Sequence, residues 1–246
     1  MAQWLTGEVV ENYAWNDNLF SVRVKTTPFE FVAGQFVRLG LDTDDGRVQR
    51  AYSLCNSPDS DILDFLVTRV PDGKLSPRLH ALQTGQRVDV SQPPSGFFTL
   101  NEVPDGDSLW LVSSGTGIGP YLSMLGTDIP WQRFSKIVLV HAVRHVADLA
   151  YQQQILNWQQ AHPGQLIYAP VVSREAYSDG LAGRIPALIE SGELERFAGV
   201  ALNTQAQVMI CGNPDMITDA KAILHARGLE KNLRRKPGNV TVEQYW

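Results

Sequence analysis

Residues 109–120 constrain this chain most. An apolar run, Leu109-Trp110-Leu111-Val112, leads into Ser-Ser-Gly-Thr-Gly-Ile-Gly-Pro at 113–120. Apolar residues at helical spacing follow: Ile118, Tyr121, Leu122 and Leu125. The pattern predicts a strand, a glycine-rich turn and a helix. Glycines at 115, 117 and 119 let the backbone turn tightly and come close to another group. The helix start offers unpaired N–H groups and the positive end of a dipole. An anionic group, most often a phosphate, suits that place. Glycines also make plain surface turns, and the turn alone does not separate the two readings.

The surroundings of this unit set the fold class. After Pro104-Asp105-Gly106-Asp107 the strand-like runs are continuous and apolar, as when both faces of a sheet are covered. They are 109–112, 137–143, 166–172 and 208–211. Helical patterns lie between them at 118–125, 148–161 and 185–190, and another runs from Asp215 to Arg227, with Asn213 and Pro214 as N-cap and first-turn proline. Alternating strands and helices imply a parallel sheet with right-handed crossovers, whose ligands sit beyond the carboxyl ends of the strands. Residues 1–100 read differently. Short segments at 7–13, 19–25, 35–41, 48–54, 62–70 and 87–91 alternate with turn signals, of which Asp44-Asp45-Gly46 is a good hairpin turn. With one short helix at 77–81, they predict a six-stranded antiparallel β-barrel. The expected domains are therefore 1–101, a barrel, and 102–246, an α/β parallel-sheet domain.

Composition narrows the classes. The chain has 246 residues, 43% of them hydrophobic, and a formal net charge of −5, so nucleic acid is a poor partner. One basic cluster, Arg234-Arg235-Lys236, stands against the acidic average. It reads either as a solvated patch or as a dock for an acidic protein, helped by electrostatic steering. Two cysteines, Cys55 and Cys211, cannot supply the thiolates of an iron–sulfur cluster and imply no disulfide framework. The N-terminus lacks a basic segment followed by an apolar one, and no apolar run approaches the length of a membrane span. A cytoplasmic, reducing setting without membrane attachment is the simplest reading. His80, His141, His145, His162 and His225 show no metal spacing, and no Ser-His-Asp arrangement is supported.

Further motifs occur in order along the whole chain. Arg50-Ala51-Tyr52-Ser53 precedes Pro-Asp-Gly-Lys-Leu-Ser-Pro-Arg-Leu at 71–79; the glycine turn follows; then come Ser173-Arg174-Glu175, Gly-Arg-Ile-Pro at 183–186, Cys211-Gly212-Asn213-Pro214 and a final Glu243-Gln244-Tyr245-Trp246. Together they resemble the ferredoxin–NADP reductase family of flavoproteins, in particular the bacterial ferredoxin/flavodoxin–NADP reductases that end in an aromatic residue.

The resemblance implies two cofactors, FAD on the barrel and NADP on the α/β domain. For FAD it assigns Arg50 to the pyrophosphate, Tyr52 to the face or edge of the isoalloxazine and Ser53 to the neighbourhood of flavin N5, with Ala51 a further FAD contact. Phe65, Leu66 and Val67 wall the flavin, Lys74, Leu75 and Ser76 offer backbone N–H groups to the pyrophosphate, and Thr116 reaches the flavin. For NADP it assigns Ser173 and Arg174 to the 2′-phosphate, with Arg144 and Arg184 as further candidates; Gly117, Cys211, Asn213 and Asp215 complete the set. An NAD site would instead favour a carboxylate on the ribose hydroxyls. Cys211 would help bring nicotinamide C4 over N5, and Ser53, Cys211 and Tyr245 are the candidate catalytic residues. Tyr245 and Trp246 would lie on the cofactor, one on the flavin ring or one on the adenine. Glu243 reads equally as a proton relay and as a solvated strand residue. The implied enzyme is a monomer that moves electrons between NADPH and ferredoxin or flavodoxin. Two alternatives are a reductase component serving an oxygenase and a non-catalytic electron-transfer subunit; the second predicts cluster cysteines that this chain lacks.

Overall fold

The structure is a computed structural model that describes residues 3–44 and 46–245. The chain forms two compact units, Met1–Thr99 with Gly119–Thr127, and Leu100–Ile118 with Asp128–Trp246.

The first unit is a curled antiparallel sheet. Its strands are β1 (Gln3–Ala14), β2 (Leu19–Lys25), β3 (Phe36–Thr43), β4 (Gly46–Ser53), β5 (Ile62–Thr68) and β6 (Arg87–Gln92), and helix α1 (Ser76–Ala81) lies between β5 and β6. The order across the six-stranded sheet is β4-β3-β6-β1-β2-β5. Alternation along each strand sends one set of side chains inward: Phe20, Val22 and Val24 from β2 meet Leu63, Phe65 and Val67 from β5 in one core. Beyond the outermost strands the backbone closes on itself, where Cys55 N–H donates to the Asp64 carbonyl at 2.8 Å. The hairpin turn expected at 44–46 joins β3 to β4 through the Thr43–Gly46 pair, although Asp45 lies outside the described residues.

Helix α1 and the residue before it plug the barrel with Leu79 and Leu75. Its start is held by Ser76 Oγ, which accepts the Val70 N–H at 3.0 Å. Its end is held from β1, where Asn12 Nδ2 donates to the carbonyls of Leu79 and Leu82, each at 2.9 Å. Helix α2 (Gly119–Leu125) belongs to this unit: Ser123 Oγ donates to the Asn56 carbonyl at 2.6 Å, and the Tyr121 ring packs on Phe98.

The second unit is a parallel sheet of β7 (Ser108–Ser114), β8 (Lys136–Val143), β9 (Leu166–Val172), β10 (Leu181–Ala182), β11 (Ala206–Gly212) and β12 (Val240–Gln244), in the order β10-β9-β8-β7-β11-β12. The chain steps outward from β7 to β10 and returns to lay β11 and β12 on the other side. The order therefore reverses at β7, which makes the crevice beyond its carboxyl end the expected ligand site. Helices α5 (Ile185–Glu190), α6 (Glu193–Ala198) and α7 (Pro214–Ala226) bury one face of the sheet through Leu188, Leu194, Ile217 and Leu224. Helices α3 (Ile129–Arg133) and α4 (Gln152–Ala161) complete the unit.

The sequence pattern predicts a helix from Asp148, but α4 begins at Gln152. Asp148 Oδ2 accepts the His145 N–H at 3.1 Å and so caps a short 3-10 turn at Val146–Asp148. Tyr151 then takes a left-handed conformation, φ 59°, and resets the helix start. The glycine run is also more ordered than a loop: Gly115–Ile118 forms a 3-10 turn before α2. β10, α3 and α6 were not visible in the pattern.

The clasp made by Asn12 predicts a stability effect. Asn12→Ala leaves carbonyls at the end of α1 without their donor, at a cost of about 1–3 kcal/mol. Urea unfolding of the barrel unit checks this through a lower midpoint with an unchanged slope.

Candidate active site

The carboxyl ends of the six parallel strands carry most of the candidate residues of the second unit. At one side, Arg144 follows β8, Ser173 and Arg174 follow β9, and Arg184 follows β10; all are exposed. The strand ends are tied together by backbone bonds, Ser173 N–H to Val143 O at 3.1 Å and Arg174 N–H to Arg144 O at 3.0 Å. The Ser173 hydroxyl also donates to Val143 O, at 3.1 Å, so its lone pairs rather than its proton face outward. Glu175, the next residue, is turned away: its carboxylate accepts the Val146 N–H and lies 3.7 Å from His145 Nδ1. Arg184 starts α5, beside an open cleft of about 450 Å³ between α5 and α7. Glu190 and Asp219 line that cleft and make it a poor seat for phosphate.

At the centre, the glycine turn is clamped to the end of β11. A Cβ on Gly117 would lie 2.5 Å from the Cys211 carbonyl oxygen, so only glycine fits. Gly212 has φ +132°, and a Cβ there would meet Ser114 Oγ at 2.3 Å. Ser114 Oγ itself accepts the Asn213 N–H at 2.9 Å. Asn213 caps α7 through Oδ1, which takes the N–H groups of Asp215 and Met216. Thr116 is buried in the turn, and Asp215 is exposed in the first turn of α7.

On the other side of β7, register does what spacing in the sequence does not show. Cys211 on β11 pairs with Glu243 on β12, and Tyr245 N–H donates to the Gly212 carbonyl at 3.2 Å. Cys211 is fully buried, and burial pushes its thiol well up; the Glu243 carboxylate adds to this, and a hydrogen bond from the Tyr245 side chain opposes it. The residue is a neutral thiol. Glu243 is not the solvated strand residue of the alternative reading: its Oε2 is buried without a hydrogen-bond partner among the described residues. Burial raises its carboxyl from 4.5 to about 7. Trp246 lies outside the described residues.

In the first unit, β4 presents Arg50 and Ala51 exposed, Tyr52 half-buried and Ser53 buried. The Tyr52 ring rests against the barrel core, and burial pushes its phenol up to about 12, so it stays neutral. Arg50 Nη1 donates to the Gln49 carbonyl at 2.7 Å, which leaves most of the guanidinium open. Phe65 and Val67 point into the barrel core and Leu75 into the same core, so only their backbone groups can meet a ligand; Leu66 is buried but stands outside that cluster. Lys74 is exposed and Ser76 buried, its hydroxyl occupied by Val70.

A curled antiparallel sheet joined to a doubly wound parallel sheet, with cations and a glycine turn at the strand ends, defines a two-domain dinucleotide-dependent oxidoreductase. Residues 8–99 match the Oxidoreductase FAD-binding domain and residues 111–222 the Oxidoreductase NAD-binding domain. The chain is 50% identical to a flavodoxin/ferredoxin–NADP reductase of Shigella flexneri and 49% identical to that of Escherichia coli K12, each over 100% of both chains. A ferredoxin NADP+ reductase from Neisseria gonorrhoeae, solved with bound FAD and NADP, superposes with a TM-score of 0.95 at 28% identity, covering 100% of each chain. The chain belongs to the flavodoxin/ferredoxin–NADP reductase family. No helix among the described residues is long and apolar enough to cross a membrane.

The Glu243 environment predicts a pH signature. The folded protein holds this proton more tightly than the unfolded chain, so its contribution to stability falls as pH rises from about 4.5 through about 7. Melting temperatures at a series of pH values check it: Glu243→Gln gains on the parent across that window. A constant difference between the two proteins contradicts the assignment.

Proposed function

We propose that this chain is a FAD-dependent enzyme moving electrons between NADPH and ferredoxin or flavodoxin, with residues 1–101 holding FAD and 102–246 holding NADP. When bound, FAD supplies the conversion of a hydride from NADPH into single electrons for the carrier protein. The observation that carries the choice of NADP is the arrangement at the ends of β8, β9 and β10. Arg144 and Arg174 stand exposed at adjacent strand ends with the Ser173 oxygen, and Arg184 follows the next strand, while the carboxylate of Glu175 is tied to Val146. A dianionic 2′-phosphate suits that donor set. A ribose hydroxyl, which needs a free carboxylate acceptor, does not.

The remaining roles follow from position. β9 and β11 are three strands apart, about 14 Å at ordinary strand spacing. A dinucleotide anchored at Arg174 thus runs across the Gly115–Ile118 turn toward Cys211. The turn's backbone receives the pyrophosphate, with Gly117, Asn213 and Asp215 beside it. Cys211, a neutral buried thiol, acts by shape and holds the nicotinamide for transfer. Glu243 beside it takes or returns a proton near neutral pH, which its raised carboxyl permits, and the Tyr245 side chain orders this corner. On the barrel, Arg50 and the backbone of Lys74–Ser76 suit a pyrophosphate, Tyr52 offers its ring and Ser53 its hydroxyl. The two free, buried cysteines accord with a reducing cytoplasm.

Docking of an acidic carrier is served by the basic loop. Asn232 Nδ2 ties the loop to the Glu102 carbonyl at 2.7 Å, and Arg234 makes a bidentate pair with the Glu102 carboxylate at 2.6–2.8 Å. Arg235 and Lys236 stay exposed to steer the carrier.

Arg174→Ala tests the nucleotide assignment. Losing a charge-assisted contact of about 1.5–3 kcal/mol lowers kcat/KM for NADPH by about 10–150-fold and leaves NADH nearly unchanged. Equal losses with both nucleotides refute the 2′-phosphate role. Reversing Arg235 and Lys236 to Glu tests the dock. The KM for flavodoxin or ferredoxin should rise about tenfold and lose part of its salt dependence, while ferricyanide reduction holds.

A further inference from the structure

We propose that His141 is a positioning residue for the glycine turn: its imidazole N–H takes the Gly115 carbonyl and fixes the turn in the form that receives the nucleotide. The inference rests on the nucleotide-binding reading of that turn. His141 stands near the carboxyl end of β8, in register with Ser113 of β7, and is 1% exposed. Its neighbours on the same face of β8 are Ile137, Leu139 and Val143, all buried and apolar. Neither ring nitrogen has a hydrogen-bond partner in the described residues. An aliphatic side chain would fill this place without burying two polar atoms, so packing alone does not account for a histidine.

The Gly115 carbonyl favours the protonated form without meeting hydrogen-bond geometry with the ring, and burial outweighs it and brings the imidazole down to about 4. The ring is therefore neutral and carries one N–H to give. Gly115 opens the 3-10 turn, and its carbonyl keeps a second lone pair beyond the turn's own hydrogen bond. Ser114 is fixed on one side by its bond from Asn213 N–H, and Gly117 is fixed on the other against the Cys211 carbonyl. Between them Gly115 sits at φ +56° with nothing within 4 Å of a Cβ position. A small rotation of the Gly115–Thr116 peptide is inexpensive for glycine. Such a rotation would bring the carbonyl onto the imidazole and turn the Thr116 N–H the opposite way. A pyrophosphate that binds that amide and a histidine that binds that carbonyl select the same peptide orientation, so each strengthens the other.

Two measurements on the FAD-loaded enzyme test this. In the ¹⁵N-histidine-labelled parent, NADP+ should move the His141 ring N–H signal downfield and slow its exchange with water. In turnover, His141→Phe should raise the KM for NADPH about tenfold or more while kcat and FAD content hold, and His141→Gln, which keeps a donor, should recover most of the loss. An unmoved signal, or a Gln variant no better than Phe, overturns the proposal. The labelled parent decides the matter if a variant fails to fold. Arg174→Ala separates the two readings. If it affects NADPH and NADH alike while NADH also moves the His141 signal, the 2′-phosphate assignment fails and His141 stands. If it behaves as expected and the signal is still, His141 alone fails.

Discussion

The approach of Gly117 to the Cys211 carbonyl is the contact on which the second unit's site depends. It leaves no room for a side chain at 117, and it seats the turn after β7 directly against the end of β11. Every other placement near the turn follows. Ser114 is drawn to the Asn213 amide, Asn213 is thereby in position to cap α7, and the Gly212 carbonyl is left for Tyr245. A sheet whose order reverses at β7 makes a crevice in any case. The clamp determines that this crevice has a buried thiol and a half-buried carboxyl as its wall.

Arginines cluster toward one end of the same edge. Three arginines stand at the β8–β10 side, and Glu243, which pairs with Cys211 in register, stands at the β12 side. On the proposed assignment, a molecule with phosphates at one end and an uncharged or electron-poor ring at the other would lie in this direction and not its reverse. The protein as a whole is acidic, so these local cations act against the background field, and long-range attraction of anionic partners is concentrated where they are clustered.

Much of this was legible in the sequence because it is local. Arg144 and Ser173-Arg174 follow directly on an apolar strand run and Cys211 ends one, and a strand's end is readable from where its apolar run stops. What was not legible depends on register. Nothing in the spacing of Cys211 and Glu243 shows that they pair across β11 and β12, and the carboxyl's burial comes from that pairing. His141 lacked metal spacing, and its isolation under a turn emerges only from three strands lying side by side. The inward direction of Phe65 and Val67 was available in principle, since Leu63, Phe65 and Val67 alternate with period two and must share a face. Asp148 misled the helix boundary because its carboxylate serves the turn before the helix rather than the helix itself.

The anchoring of Glu175 has a consequence for how a protein of this kind changes over time. Its carboxylate sits next to the proposed phosphate-binding arginine, yet it is held by the amide of Val146, a residue that is 29 positions away and has no place in the ligand site. On the proposed assignment, discrimination between two nucleotides would rest partly on a tether, not on the inventory of charged groups. Loosening the 145–148 turn would free an acceptor beside Arg174 with every binding residue intact. Under that assignment nucleotide preference would drift through loop sequence alone, and substitutions at the arginines need not be the first step.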